Sequence, residues 1–83
     1  MQLTNTMLID LTQLKSGQKG TVVEMQGGVG FSRRLEAMGI RPGKKITKTS
    51  AQFWRGPQIV EVGNSRVAIG FGMAKRILVE VKK

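Results

Sequence analysis

The stretch that decides the fold is RLEAMGIRPG, at residues 34–43. Its first five residues favour a helix. The helix is predicted to end at Gly39, because glycine adopts the left-handed conformation that ends many helices at little steric cost. Ile40 follows, in position to touch Leu35 as in the hydrophobic contact of a Schellman motif. The Pro-Gly pair behind it fits the two central positions of a type II turn. These signals predict a short helix that ends abruptly and passes directly into a strand.

The helix before this corner is predicted to begin at Ser32, whose side chain can cap its first turn. Phe31, Leu35 and Met38 then share one helical face, which we expect to point into the core. The preceding Gly27–Gly30 segment is predicted to be a flexible loop. A glycine loop before a helix can hold a phosphate. However, the Lys-Ser/Thr pair of a P-loop and the third glycine of a dinucleotide fingerprint are both missing, so the loop interpretation is favoured.

Outward from this corner, short β-branched runs alternate with turn residues. Five strands are predicted, at residues 21–25, 45–53, 58–62, 66–69 and 77–81. The second run is largely polar, so we expect an edge strand or a strongly bent one. Gly63-Asn64 is predicted to be a two-residue hairpin turn of the Gly-first kind. This pattern predicts a mainly β fold, a small barrel of about five strands with one short helix between strands 1 and 2.

The N-terminal segment, residues 1–7, is polar and predicted to be frayed, so a single domain is placed at residues 8–83. Asp10 can cap a single helical turn that follows it. Near the other end, residues 70–75 are expected to form a tight turn or a short helical segment. With 83 residues, 40% of them hydrophobic, the chain has material for one small core.

Cysteine and histidine are both absent, which removes the usual transition-metal ligands and the usual acid–base catalysts at neutral pH. The carboxylates are scattered singly along the chain, at Asp10, Glu24, Glu36, Glu61 and Glu80. We therefore expect no catalysis, no cofactor and no intrinsic iron or zinc site, although a carboxylate site shared between subunits stays open. No apolar run reaches the roughly 20 residues of a membrane span, and no signal peptide is recognisable, so the expected location is the cytoplasm.

The net charge is +9, and +6 of it lies between Arg33 and Arg55. Such a field favours acidic partners: nucleic acid, an anionic lipid surface or an acidic protein face. A solvated basic face that only confers solubility explains the charge equally well. Trp54 is either an interface anchor or a lid over the open end of the barrel. Phe71 and Met73 form either an exposed docking patch or, as the short core favours, a plug at one end.

Three segments together carry a family resemblance. They are LTQLKSGQKGTV at residues 11–22, RL followed by MGI and PG within 34–43, and a closing half with Gly56-Pro57, Val62, Ala68-Ile69, Ala74, Ile77 and Val79. These segments resemble the FeoA family, ferrous iron transport protein A, over nearly the whole chain. The positions that match its structural signature are Gly17, Gly20, Leu35, Met38, Gly39, Ile40, Pro42, Gly43, Gly56 and Pro57.

The resemblance implies an SH3-like barrel in the cytoplasm that is not an enzyme. It also implies an accessory role toward FeoB, a membrane transporter that couples a G-protein domain to ferrous iron import. We expect contact with the cytoplasmic region of that transporter, at the inner face of the membrane, where anionic lipid is a further partner. The residues expected to touch the partner are Arg33, Arg34, Arg41, Trp54, Arg55 and Phe71.

Two other classes of function compete with this interpretation. A basic SH3-like module of the translation or transcription machinery would explain the charge of +9. With no Tyr and only four aromatic residues, however, the chain offers few stacking platforms for bases. The same scarcity argues against an SH3-type binder of Pro-rich peptides, which needs an aromatic-lined groove.

Overall fold

The computed structural model describes residues 5–50 and 56–82. Within these ranges the chain forms six strands, two α-helices and one 3₁₀ turn. In chain order they are β1 (Thr6–Asp10), the 3₁₀ turn (Leu11–Gln13), β2 (Lys19–Met25), α1 (Gly28–Ala37), β3 (Lys45–Ser50), β4 (Gln58–Val62), β5 (Ser65–Ile69), α2 (Phe71–Ala74) and β6 (Ile77–Lys82). The predicted mainly β class is confirmed, and the segment at 70–75 takes its short helical form.

The strands make one antiparallel sheet in the order β1-β6-β2-β3-β4-β5. Strand β1 is an addition to the five predicted. Thr6 and Met7, which are expected at a frayed end, instead lie in β1 and pair with Lys82 and Val81 of β6. The expectation is wrong for Thr6 and Met7, because a polar pattern in the sequence does not reveal a partner strand at the other end of the chain.

Strand β3 has neighbours on both sides, so the expectation of an edge strand is wrong for its described residues. Its first half pairs with β2, from Lys45 to Thr47. Its second half pairs with β4, and the register shifts between Lys48 and Ser50. The strand thus passes from one partner to the next, which agrees with the alternative expectation of a bent strand. Residues 51–53 of the predicted strand lie outside the described residues.

One hydrophobic core fills the space enclosed by the sheet and the helices. Leu35 of α1 is fully buried there, while Phe31 and Met38 on the same helical face pack against it with part of their surface exposed. The buried apolar residues come from almost every element: Leu11, Leu14, Val22, Leu35, Ile40, Ile46, Val60, Val62, Ile69, Ala74, Ile77, Val79 and Val81. Because no element contributes more than three of them, no element can bury its apolar side alone.

The corner at residues 34–43 forms as predicted. Gly39 has φ of +87°. Its N–H donates to the Glu36 carbonyl, and the Ile40 N–H donates to the Leu35 carbonyl, both at 2.9 Å, which is the hydrogen-bond pattern of a Schellman motif. In the turn that follows, Gly43 has φ of +91°, as the third position of a type II turn requires.

The start of α1 differs from the prediction. The helix begins at Gly28 rather than near Ser32, and Gly27 stands at its N-cap without a side-chain hydrogen bond. The predicted flexible loop is therefore largely helix. A Cβ on Gly27 would lie 2.5 Å from the Phe31 ring, so the ring folds back over the first turn into space that only glycine leaves free. Phe31 packs against the core from this first part of the helix.

Candidate partner-binding surface

The rigid corner carries three of the arginines predicted to touch a partner. Arg33 and Arg34 are exposed on α1, and Arg41 is exposed directly after the Schellman motif. The Arg41 carbonyl accepts the N–H of Lys44 at 3.1 Å, closing the turn. The Gly43 N–H donates to Val22 of β2 at 2.7 Å, which fixes the turn to the sheet. This corner places three guanidinium groups in solvent on a backbone with few degrees of freedom.

Phe71 lies on a different element from these arginines. It opens α2, which packs beside the 3₁₀ turn, whereas α1 packs beside β2. The Phe71 ring is partly buried, and the Lys75 ammonium lies 5.8 Å from its centroid, within range of a cation–π contact. Met73 packs against the core with part of its surface exposed. Neither side chain is fully buried at the end of the barrel, and Phe71 keeps part of its surface exposed next to the Lys75 ammonium.

Trp54 and Arg55, the remaining two predicted contact residues, lie outside the described residues. The structure resumes at Gly56, whose carbonyl accepts the Gln58 side-chain amide at 2.9 Å. Gln58 is buried, so this contact satisfies a polar group inside the barrel. Pro57 between them is exposed. The Gly-Pro pair thus introduces β4.

Lys48 lies within the basic segment of the sequence, but its side chain points into the protein and not into solvent. Its side chain is 0% exposed. The ammonium donates to the carbonyls of Leu11 and Leu14, at 3.2 and 3.0 Å, and so ties β3 to the 3₁₀ turn. Burial lowers the pKa of Lys48 below its ordinary value of 10.5, and the charge of Asp10 partly opposes this shift. This lysine holds the barrel together and adds nothing to the outer basic face.

The 3₁₀ turn is fixed from its other end by a capping box. The Asp10 side chain accepts the Thr12 N–H at 2.9 Å, and the Gln13 side chain accepts the Asp10 N–H at 2.9 Å. The cap by Asp10 agrees with the prediction. The partner role of Gln13 is not foreseen, although a Gln three residues after a capping residue is its usual signal.

Two glycines of the matched signature have clear structural reasons. Gly17 has φ of +84°, in the turn before β2. Gly20 lies in β2 where the backbone approaches β6 closely. A Cβ there would meet Val81 Cγ1 at 3.2 Å and Val79 Cβ at 3.3 Å. Gly17 and Gly20 therefore have a structural role, and a partner would contact exposed side chains instead.

A surface cleft of about 410 Å³ lies beside Gly20, where the pairing between β2 and β6 ends. Three lysines line it, Lys19 from β2, Lys45 from β3 and Lys82 from β6. Only Lys45 falls within the basic segment recognised in the sequence. The other two are far apart in the chain, and only the register of the sheet brings them together, so no sequence pattern predicts the group.

Residues 5–50 and 56–82 offer neither a metal cluster nor a membrane-spanning helix. Within that part of the chain, no three His, Cys, Asp or Glu side chains come together as a potential metal site. The helices described there are too short or too polar to cross a membrane.

Comparison with known proteins decides the family. The family model described as the FeoA domain matches residues 9–81. This chain belongs to the FeoA family. A relative in Methanocaldococcus jannaschii, whose proposed assignment is Fe(2+) transport protein A, is 38% identical over 66 residues, which cover 80% of this chain and 78% of the relative.

Solved structures agree with this family membership. The crystal structure of an iron uptake regulatory protein, FeoA, is 38% identical with a TM-score of 0.79, and the match covers 88% of this chain and 95% of that one. FeoA of Stenotrophomonas maltophilia, described as a prokaryotic SH3 domain protein and complexed with zinc, is 23% identical with a TM-score of 0.71. That match covers 89% of this chain and 96% of the other. The fold of this FeoA-family chain is therefore SH3-like, as predicted.

Proposed function

We propose that this protein is a cytoplasmic accessory component of ferrous iron uptake. It binds the cytoplasmic region of a FeoB-type membrane GTPase transporter and modulates that transporter by protein–protein contact, without catalysing a reaction itself. The observation that carries this proposal is family membership over residues 9–81. The relative assigned as an Fe(2+) transport protein A, at 38% identity, supports the link to iron transport.

The composition and the surface of the chain favour contact over carriage of iron. The chain has neither His nor Cys, the residues that most transition-metal sites use. The corner at Arg33, Arg34 and Arg41 instead presents guanidinium groups, which pair well with carboxylates on a partner. Trp54 and Phe71 are the proposed apolar anchors of the contact.

Pull-down of the transporter's cytoplasmic domain at low salt tests this proposal. We expect the wild-type protein to retain the domain, and a variant with Arg33, Arg34 and Arg55 changed to Glu to retain much less. A matched control changes Lys15, Arg66 and Arg76 to Glu, because these three exposed residues lie on neither the corner nor the cleft. Equal binding by both variants would exclude the electrostatic part, and no binding by the wild type would exclude the transporter as partner.

The competing nucleic-acid function is tested with generic RNA in a gel-shift assay. We expect weak binding with no preference over other polyanions. Tight binding that falls steeply with salt would favour the nucleic-acid module instead, because each phosphate contact releases condensed counterions.

A further inference from the structure

The cleft beside Gly20 lies where the pairing between β2 and β6 ends. Strands β2 and β6 pair from Met25↔Ile77 to Thr21↔Glu80. Beyond that point β2 turns to β3, with Gly20 opposite Ile46, and β6 continues along β1, with Val81 opposite Met7. The listed pairing between β2 and β6 thus ends next to Gly20, and the cleft at this end of the ladder has about 410 Å³, within the range of sites that hold a ligand.

The sheet register places the three lysines of the cleft on one face. Thr21 lies opposite Lys45 on β3 and opposite Glu80 on β6, so these three side chains form a row across the sheet. Lys19 lies two residues before Thr21 on β2, and Lys82 lies two residues after Glu80 on β6, so both side chains point to the same face. Diagonal neighbours on one face of a sheet are about 7–8 Å apart, so Lys19 and Lys45 lie within reach of a single chain.

These lysines are available to a ligand. Within the described ranges the one side-chain ion pair joins Arg66 to Glu61, away from the cleft. Glu80, the acid that lines the cleft, accepts a hydrogen bond from the Thr6 hydroxyl at 3.1 Å on the side of β1. The group therefore carries three positive charges against one negative charge that β1 already engages.

The lining indicates the chemistry of the ligand. Among residues 5–50 and 56–82, no aromatic side chain lines the cleft, so these residues offer nothing on which a nucleobase could stack. It is an open groove between strands, which suits an extended segment better than a compact molecule. Lysines on flexible stems adapt to carboxylates at several spacings, because each ammonium acts as a point charge with three donors.

We propose that this cleft is the seat of an acidic, extended segment of the partner protein, whose carboxylates pair with Lys19, Lys45 and Lys82. The inference deepens the proposed function and rests on it for the identity of the partner. It moves the centre of the contact from the arginine corner to the sheet face next to it. Lys45 joins the two surfaces, since it follows the turn that begins at Arg41.

The first experiment does not need the transporter. Hexaglutamate peptide is added to the ¹⁵N-labelled protein, and amide chemical shifts are followed by NMR. We expect the largest changes at residues 19–21, 45 and 80–82, with affinity that falls as salt is added. Changes centred on α1 and Arg41 would overturn the proposal. Equal changes with inorganic phosphate at the same concentration would also overturn it, because the site would then not select a segment. Stronger binding to vesicles containing anionic lipid than to the peptide would assign the cleft to the membrane and overturn it as well.

The second experiment uses the transporter's cytoplasmic domain. The variant with Lys19, Lys45 and Lys82 changed to Glu should bind about tenfold more weakly than wild type, because each lost exposed ion pair accounts for a few-fold in affinity. A triple change to Gln, which removes charge without reversing it, should give a smaller loss in the same direction. The matched control, with Lys15, Arg66 and Arg76 changed to Glu, has the same net charge as the Glu variant and should bind as wild type.

The outcomes separate the two proposals. If reversal of the cleft lysines leaves binding unchanged while reversal of Arg33, Arg34 and Arg55 abolishes it, the cleft inference is wrong and the proposed function stands. If the wild type binds hexaglutamate in the cleft but does not bind the transporter domain, the site exists and the transporter is not its partner. Far-ultraviolet circular dichroism of each variant verifies that the sheet is intact.

Discussion

The two glycines at opposite ends of α1 should respond to alanine in opposite directions. At Gly39 the backbone has φ of +87°, where an L-residue costs about 1–2 kcal/mol. The added Cβ would lie 3.6 Å from Val62 Cγ1, an ordinary contact that contributes no clash. Alanine also restricts the unfolded chain, which returns about 0.4–1 kcal/mol. We therefore expect Gly39→Ala to lower the free energy of unfolding by about 1 kcal/mol.

Gly30 provides the matched contrast on the same helix. It lies in the first turn of α1 and is exposed. A Cβ there would meet no atom within 4 Å, and its φ is not in the left-handed region. Alanine favours the helix over glycine by up to about 1 kcal/mol, so Gly30→Ala should raise the free energy of unfolding by about 0.5–1 kcal/mol. The two single variants should thus differ by about 2 kcal/mol, or roughly 10 °C in melting temperature for a domain of this size.

Thermal unfolding followed by circular dichroism, together with urea titration, measures both variants. A further variant, Gly39→Asn, should lose less stability than Gly39→Ala, because asparagine tolerates the left-handed conformation better. The reasoning is refuted if Gly39→Ala melts at or above the wild-type temperature. It is also refuted if the melting temperatures of the two alanine variants shift in the same direction. The left-handed conformation at Gly39 would then not decide whether alanine stabilises or destabilises the protein.

Two further predictions follow from contacts inside the barrel. Gly20→Ala places a Cβ at 3.2 Å from Val81 Cγ1 and 3.4 Å from the Glu80 carbonyl oxygen. We therefore expect urea titration to show a free energy of unfolding lower by about 1–3 kcal/mol. A decrease below about a few tenths of a kcal/mol would show that β2 and β6 can move apart at this position without cost. Lys48 has a pKa in the folded state that lies below its ordinary value of 10.5. At pH values between the folded-state pKa and 10.5, the unfolded chain binds more protons than the folded chain. The contribution of Lys48 to the free energy of unfolding therefore rises with pH through this range. Urea titrations at a series of pH values should therefore show wild type gaining stability relative to Lys48→Met as the pH approaches 10.5, and parallel curves would contradict this.

The parts of the fold that the sequence predicts are those set by neighbouring residues. Gly39 and Ile40 determine the end of α1 through hydrogen bonds that span only a few residues. Gly63, with φ of +61°, similarly determines the hairpin between β4 and β5. In both places the local backbone preference and the final structure agree, so short patterns are sufficient.

The parts that the sequence does not predict depend on contacts between distant segments. Strand β1 exists through its pairing with β6, and the interior place of β3 depends on both β2 and β4. The sequence alone indicates that Lys48 is a surface charge. In the structure its ammonium binds carbonyl groups at the 3₁₀ turn, 34 and 37 residues away in the chain. The cleft follows the same rule, because its three lysines come from three strands. Local patterns reveal the charge of such residues and not their neighbours.

The position of β6 between β1 and β2 has a consequence for synthesis of the chain. Strands β2 to β5 can pair in the order in which they emerge from the ribosome, since each is next to its predecessor in the sheet. Strand β1 has no partner until β6 appears, and β6 carries Ile77, Val79 and Val81 of the core. The nascent chain must therefore keep its first strand unpaired until nearly all of the domain has been translated. Fusions or truncations that delay or remove β6 leave both β1 and the open edge of β2 exposed to pairing with other chains.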